Sequence, residues 1–220
     1  MDDASRKIEV MESVYGQNER MAAEFNEKLT SRGIFCVNVL GAPGAGKTTA
    51  LIRLINGLGR PAYVIEGDIE SDIDAQKLKA LGIPASQINT GGACHLDAPV
   101  VADAFAGDAF AGGYLFIENI GNLVCPAEFM IGEHVKILIC SVTDGGDKPW
   151  KYPLAFEKAG LILLNKCDLL DYVDFDWEFF ESGAKKLNPN APIIKISSKT
   201  GAGIGEAVEW LRNSARNIIG

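Results

Sequence analysis

The stretch "IFCVNVLGAPGAGKTTALIRLINGL", residues 34–58, constrains the fold more than any other. An apolar run suited to a buried strand, 34–41, leads into Gly41-Ala42-Pro43-Gly44-Ala45-Gly46-Lys47-Thr48, which fits G-x-x-x-x-G-K-[ST]. Helical spacing then begins near Lys47, with Thr49 closing the nucleotide-binding stretch 41–49. Strand, glycine-rich turn and helix in this order make a phosphate-binding loop and commit the chain to an α/β fold. Gly41, Gly44 and Gly46 let backbone N–H groups turn towards one point, with Ala42, Pro43 and Ala45 completing the nest. The helix starting near Lys47 adds positive potential there. Lys47 is expected to contact the outer phosphates and the Thr48 hydroxyl to bind Mg²⁺.

The rest of the chain repeats the same alternation. Short runs rich in Ile, Val, Leu and aromatics stand at 34–41, 62–68, 114–121, 135–143, 161–168 and 192–198. They are apolar on both faces, as strands covered by helices on both sides must be. Helical stretches are expected near 47–58, 72–81, 95–106, 152–159, 176–187 and 203–217. About six strands with helical crossovers predict a doubly wound, mostly parallel sheet in one domain. Ahead of it, Ile8, Met11, Val14 and Tyr15, then Ala22, Phe25 and Leu29, recur at three- and four-residue steps, so 5–30 reads as an amphipathic helix stopped by Gly33. The expected division is a helical segment at 1–33 and the nucleotide domain at 34–220.

"NKCD" (165–168) lies about 120 residues after the phosphate loop, at a strand end. Ligands of such sheets sit at the carboxyl ends of strands. The Asp168 carboxylate can accept both N–H groups on the edge of guanine, whereas adenine offers an acceptor at one of those places. Lys166 is expected to lay its alkyl stem over the ring and Asn165 to tie loops together. "SSKT" follows the last strand, and the backbone of Ser197, Ser198 and Lys199 is expected to meet the guanine carbonyl. GTP is therefore the expected nucleotide. A small-molecule kinase, the other reading of a phosphate loop, is disfavoured by the NKCD–SSK pair and by the missing basic lid.

Acidic residues at two more strand ends can hold Mg²⁺ directly or through water: Asp68 in "IEGDIESDIDA" and Glu118 in "LFIENIG", with Asp74 a further candidate. Asp72 is expected only to cap or solvate a helix start. Gly121, three residues after Glu118, can move to meet a γ-phosphate, as switch hinges do. No glutamine beside Gly121 is placed to orient the attacking water, so intrinsic hydrolysis is expected to be slow.

Charge and cysteine usage exclude several classes. A net charge of −8 and a pI near 4.9 oppose nucleic-acid phosphates and anionic membrane surfaces. No apolar run reaches the ~18 residues of a membrane helix, and "MDDASRKIEV" has no apolar core of a signal peptide. Five scattered cysteines without CxxC spacing fit a reducing cytoplasm better than a disulfide framework.

One more stretch, "NTGGACHLDA" (89–98), sets Cys94 beside His95, and "ENIGNLVCP" (118–126) carries Cys125. Thiolate and imidazole suit Zn²⁺ and Ni²⁺ equally. Without further information a buried cysteine and a helix-capping histidine explain the pair as well as a metal site does. Together with "GAPGAGKTT", "LLNKCDLL" and "SSKTGAGI", these stretches are similar to those of the nickel-incorporation GTPases of hydrogenase maturation, the HypB family, and more distantly of their urease counterparts, UreG.

The resemblance runs over nearly the whole chain. It implies a GTP-dependent homodimer with Cys94, His95 and Cys125 as a metal site at the subunit face. It also implies nickel delivery to a [NiFe]-hydrogenase large-subunit precursor alongside other maturation proteins. Departures accompany it. The residues before Cys36 hold no Cys or His, so no nickel-storage motif is expected here, and "PVV" after "CHLDA" leaves out a second helix histidine. His134 stands alone and is expected at the surface. The competing expectation is a GTP-dependent assembly switch whose Cys/His site is structural zinc or stays empty.

Overall fold

Seven strands, not six, form one sheet in a computed structural model of the chain, which describes residues 3–68, 72–107 and 110–220, with side chains described from Tyr15 onward. The strands are β1 (Ile34–Gly41), β2 (Ala62–Asp68), β3 (Ala85–Asn89), β4 (Gly113–Glu118), β5 (Val135–Ser141), β6 (Leu161–Asn165) and β7 (Ile193–Lys195). Their order is β3-β2-β4-β1-β5-β6-β7, and every pairing is parallel. The extra strand is β3. Its sequence, "ASQIN", has one large apolar residue, Ile88, because an edge strand buries little.

The helices are α1 (Asp3–Ser31), α2 (Lys47–Leu58), α3 (Ile73–Ala80), α4 (Ala98–Ala104), α5 (Cys125–Glu128), α6 (Lys148–Lys151), α7 (Pro153–Lys158), α8 (Trp177–Leu187) and α9 (Ile204–Ile219). The period-2 geometry of strands sorts the core into two layers. Phe35, Val37 and Val39 of β1, Tyr114 and Phe116 of β4, and Leu161 and Leu163 of β6 pack with Leu51 and Leu54 of α2 and Val208 and Leu211 of α9. The alternate residues face the other way. Ile34, Cys36, Leu115 and Ile117 meet Phe25 and Leu29 of α1, while Leu40, Ile162 and Leu164 meet Phe156 of α7 and Phe180 of α8. The second half of the α1 stripe, Ala22, Phe25 and Leu29, is thus core. The side chains of Ile8, Met11 and Val14 lie outside the described residues. Among the described residues, no helix is long and apolar enough to cross a membrane.

Two local expectations need correction, the start of α4 and the setting of His134. The helix expected from residue 95 begins at Ala98, because Asp97 caps it, Oδ1 accepting from Val100 N at 3.0 Å. Asp72 stands exposed at the start of α3, so of the two expected roles, capping or solvating, it takes the second; its carboxylate accepts from Gln76 Nε2 at 2.7 Å. His134 is half-buried and not a surface residue. Its Nδ1 accepts the Cys36 amide at 2.8 Å, and its Nε2 lies 2.9 Å from Thr30 Oγ1, which donates to Asn26 O. This neutral ring seats the end of α1 on β1.

Burial lowers the His134 pKa from its ordinary value of 6.5. A protonated Nδ1 could not keep the Cys36 bond. The unfolded chain therefore binds the proton more readily than the folded one. The stabilisation by His134 is complete above about pH 6.5 and is lost as pH falls below it. Urea unfolding of wild type and His134→Asn across that range is expected to show a shallower acid loss in the variant; equal slopes would contradict this role.

Candidate nucleotide and metal site

The phosphate loop follows the central strand β1, so it opens at the carboxyl edge of the sheet between β4 and β5. Gly46 precedes α2 with φ 90°, and no side chain caps the helix. The first-turn amides therefore face the loop. A Cβ at Gly46 would lie 2.6 Å from Asn165 Nδ2, so the loop and the NKCD segment are in direct contact. Lys47 and Thr48 are buried at the helix start. Among the described residues, Lys47 Nζ has a single long hydrogen-bond contact, 3.5 Å to Ala42 O.

Asn165 bridges three elements. Its Nδ2 donates to Ala45 O at 3.0 Å, and its Oδ1 accepts from Ser198 N at 3.1 Å and Ser198 Oγ at 2.9 Å. Lys166, at φ 61°, crosses back to Gly44 O at 2.7 Å. The Asp168 Oδ1 atom accepts from Ser197 Oγ at 2.6 Å. Asn165, Lys166, Asp168 and Ser198, with Thr49, Ile52, Arg53 and Lys199, line a cleft of about 690 Å³, the size of a small-ligand pocket. The amides of Ser197, Ser198 and Thr200 are already engaged with Ala202 O, Asn165 Oδ1 and Ser197 Oγ. The Lys199 amide is therefore the donor of the SSK turn left for a base carbonyl. Arg53, which the sequence reading missed, fixes this turn: Nε donates to Ser198 O at 2.9 Å and Nη2 to Lys199 O at 3.0 Å.

A second cavity, of about 240 Å³, lies beyond Lys47 and is lined by Pro43, Glu66, Asp68, Asp74, Glu118 and Gly121 among others. Glu66 was also missed. It stands in register with Glu118 across the β2–β4 pair, where two carboxylates face each other. Burial is the largest influence on both pKa values, and both are raised; the neighbouring Glu118 charge pushes Glu66 further, while Lys47 and the Thr48 hydroxyl hold Glu118 down. Two carboxylates brought together away from water each hold a proton more tightly than they would in solution. Thr48 Oγ1 donates to Glu118 Oε1 at 3.0 Å. The outer oxygens, Glu66 Oε2 and Glu118 Oε2, are buried without a hydrogen-bond partner. Two orphaned carboxylate oxygens beside a threonine hydroxyl are donors that fit Mg²⁺.

The loop after β4 joins this cavity to the cysteines. A Cβ on Gly121 would lie 2.9 Å from Pro43 Cγ and 3.1 Å from Pro43 N, so the loop rests on the phosphate loop. Asn122 pairs with Gly41, and its Nδ2 donates to Cys94 O at 3.1 Å. Cys125 follows at the start of α5. The ligand atoms of Cys94, His95 and Cys125 all lie within 4.8 Å of one another. Cys94 Sγ is 3.5 Å from His95 Nδ1. The hydrogen bond with the Cys94 sulfur, more than burial, raises the Cys125 pKa. Cys36 and Cys140 are buried and raised by desolvation, so they are inert core residues. Two thiols and an imidazole at this spacing make a donor set for a borderline divalent ion.

A buried polar network underlies the same loop. Asn119 Nδ2 donates to Asn38 Oδ1 at 3.2 Å, and Asn38 Nδ2 donates to Glu133 Oε1 at 3.4 Å. Glu133 pairs with Lys136 at 3.3 Å. Lys136 Nζ donates to the carbonyls of Pro126, Ala127 and Phe129 at 3.4, 3.0 and 2.6 Å, closing the end of α5.

Comparison with known proteins agrees with this layout. The family model of the CobW/HypB/UreG nucleotide-binding domain matches residues 35–195. The hydrogenase maturation factor HypB of Azotobacter vinelandii is 48% identical over 94% of this chain and 69% of its own length. That of Escherichia coli K12 is 44% identical over 94% and 72%. The crystal structure of HypB from Helicobacter pylori in complex with nickel superposes with a TM-score of 0.87 at 35% identity, covering 91% of this chain and 96% of that one. The chain belongs to the CobW/HypB/UreG family of nucleotide-binding proteins, among the HypB hydrogenase maturation factors.

Proposed function

We propose that the chain is a GTP-hydrolysing metal-delivery factor for nickel insertion into [NiFe]-hydrogenase, in which nucleotide state controls the grip of Cys94, His95 and Cys125 on the ion. The observation that carries this reading is the single loop from Glu118 to Cys125. It touches the phosphate loop at Gly121 and Asn122 and ends on a metal-ligand candidate. A γ-phosphate that displaces Gly121 moves Cys125 as well. The nickel complex of the Helicobacter pylori relative supports nickel as the cargo.

In this reading Asp168 takes the two N–H groups of guanine, held in place by Ser197, and the Lys199 amide takes the carbonyl. Lys166 covers the ring, and Asn165 keeps base and phosphate loops at fixed spacing. Lys47 and the α2 amides neutralise the phosphates. Thr48 and Glu118, with Glu66, Asp68 and Asp74 behind them, would hold Mg²⁺, which supplies charge neutralisation to the β- and γ-phosphate oxygens when bound. The ligand count supports a homodimer. One chain offers three donor atoms, Cys94 is exposed, and the apolar Val124 beside Cys125 is 56% exposed. A two-fold axis would double the donors and cover this face.

Titration with Ni²⁺ and with Zn²⁺, in the GDP state and with a non-hydrolysable GTP analogue, tests the reading. Wild type is expected to bind one ion shared between two chains, with an affinity that differs between the nucleotide states by about 5–150-fold. Cys94→Ala and Cys125→Ala are expected to abolish it. Stoichiometric metal surviving both substitutions would place the site elsewhere. Equal affinities in both states would leave a structural metal site and remove the delivery switch.

A further inference from the structure

Both ligand-bearing segments are held by one helix. Asn18 of α1 is buried, and both ends of its amide are used. Nδ2 donates to Met130 O at 2.8 Å, and Oδ1 accepts from Ala98 N at 2.9 Å. Ala98 lies three residues after His95, and Met130 five residues after Cys125. One turn earlier on α1, the Tyr15 ring stacks on Phe129 with centroids 5.2 Å apart and planes at 10°. Phe129 in turn stacks on the His95 imidazole, at 3.9 Å and 11°.

We propose that Tyr15 and Asn18 are positioning residues of the metal site, α1 acting as a clasp that joins the Cys94–His95 segment to the Cys125 segment. The inference rests on the metal reading of those three residues. Cys94 and His95 are neighbours in an irregular segment, so neither regular structure nor each other fixes where the imidazole points. The stack fixes its plane. The Asn18 amide fixes the distance between the two backbones that carry the ligands. Neither residue touches the ion, so each acts through its neighbours. Partners of this kind change metal affinity when removed, even though the ligand set is intact.

The alternative is that Asn18 and Tyr15 only seat α1 on the fold, which would change stability and leave the site unaffected once folded. Ni²⁺ titration of the full GDP-loaded chain separates the two, with melting temperature and GDP affinity measured beside it. Asn18→Ala and Tyr15→Ala are expected to bind Ni²⁺ about 10–100-fold more weakly than wild type. Tyr15→Phe, which keeps the ring, is expected to restore wild-type affinity. GDP affinity is expected to be the same in all. Ni²⁺ affinities within about twofold of wild type in the folded variants overturn the clasp, whatever happens to the melting temperature. If Asn18→Ala does not fold, Tyr15→Ala decides alone, because its side chain is only partly buried. Metal binding that depends on Cys94 but ignores Tyr15 would overturn only the clasp. Metal binding that ignores Cys94 would overturn the metal reading itself.

Discussion

Lys47→Ala is expected to stop GTP turnover while leaving the chain folded. Among the described residues the ammonium group has a single 3.5 Å hydrogen-bond contact, with Ala42 O, so truncation removes little native hydrogen bonding. It lies beside Glu66 and Glu118, and its charge lowers the pKa of both. In the variant both carboxylate pKa values rise further, and less remains to offset the phosphate charge. Loss of one preorganised positive group at a developing charge costs on the order of 10²–10³ in rate. Thr48→Ala acts on the same centre by removing the hydroxyl that donates to Glu118 Oε1. Single-turnover hydrolysis with purified protein, beside a thermal melt, checks both variants. Normal turnover in either one would exclude the phosphate loop as the site of chemistry.

Asp168→Asn is expected to lower GTP affinity and to favour xanthine nucleotides, in which the edge donor of guanine is replaced by a carbonyl. The carboxylate is aimed by Ser197 Oγ at 2.6 Å and lines the cleft with Lys166 and Lys199. An asparagine keeps the shape but presents an N–H to one of the guanine N–H groups. A lost charge-assisted pair together with an unsatisfied donor costs on the order of 2–4 kcal/mol, or about 30–1000-fold in affinity. Competition binding with GTP and xanthosine triphosphate reads this directly. Unchanged GTP affinity would remove NKCD as the base reader.

The strand–loop–helix pattern was legible in the chain because its strands are continuous apolar runs and its phosphate loop is a local motif. Ala85–Asn89 was not, because an edge strand needs neither many apolar residues nor strict alternation. Glu66 was missed for a different reason. Its importance comes from standing opposite Glu118, and the register of β2 on β4 brings together residues about fifty positions apart. His134 looked isolated because its partners, Thr30 and Cys36, are about a hundred residues away. Asn165, Lys166 and Asp168 were readable as one motif, yet the spent amides of Ser197 and Ser198 depend on the turn's own hydrogen bonds. Cys94 and His95 stood out as neighbours, with a metal site and a plain structural pair equally open, but Cys125 joined them only through family resemblance, since it lies about thirty positions further along the chain.

The polar network beneath the β4–α5 loop divides the two sides of the proposed metal site by conformational entropy. Asn119 is tied at one end of the loop, and the carbonyls of Pro126, Ala127 and Phe129 are tied to Lys136 at the other. Most of the freedom of the Cys125 arm is therefore lost during folding, and little remains to be lost when an ion arrives. The Cys94 arm is built differently. It is exposed and follows Gly91 and Gly92, both at positive φ, at 59° and 107°. In the proposed metal site the Cys125 arm is thus fixed along its whole length, while the Cys94 arm is held at Cys94 O by Asn122 and at Ala98 N by Asn18. The ordering cost of ion binding would then fall on the short glycine stretch that precedes Cys94.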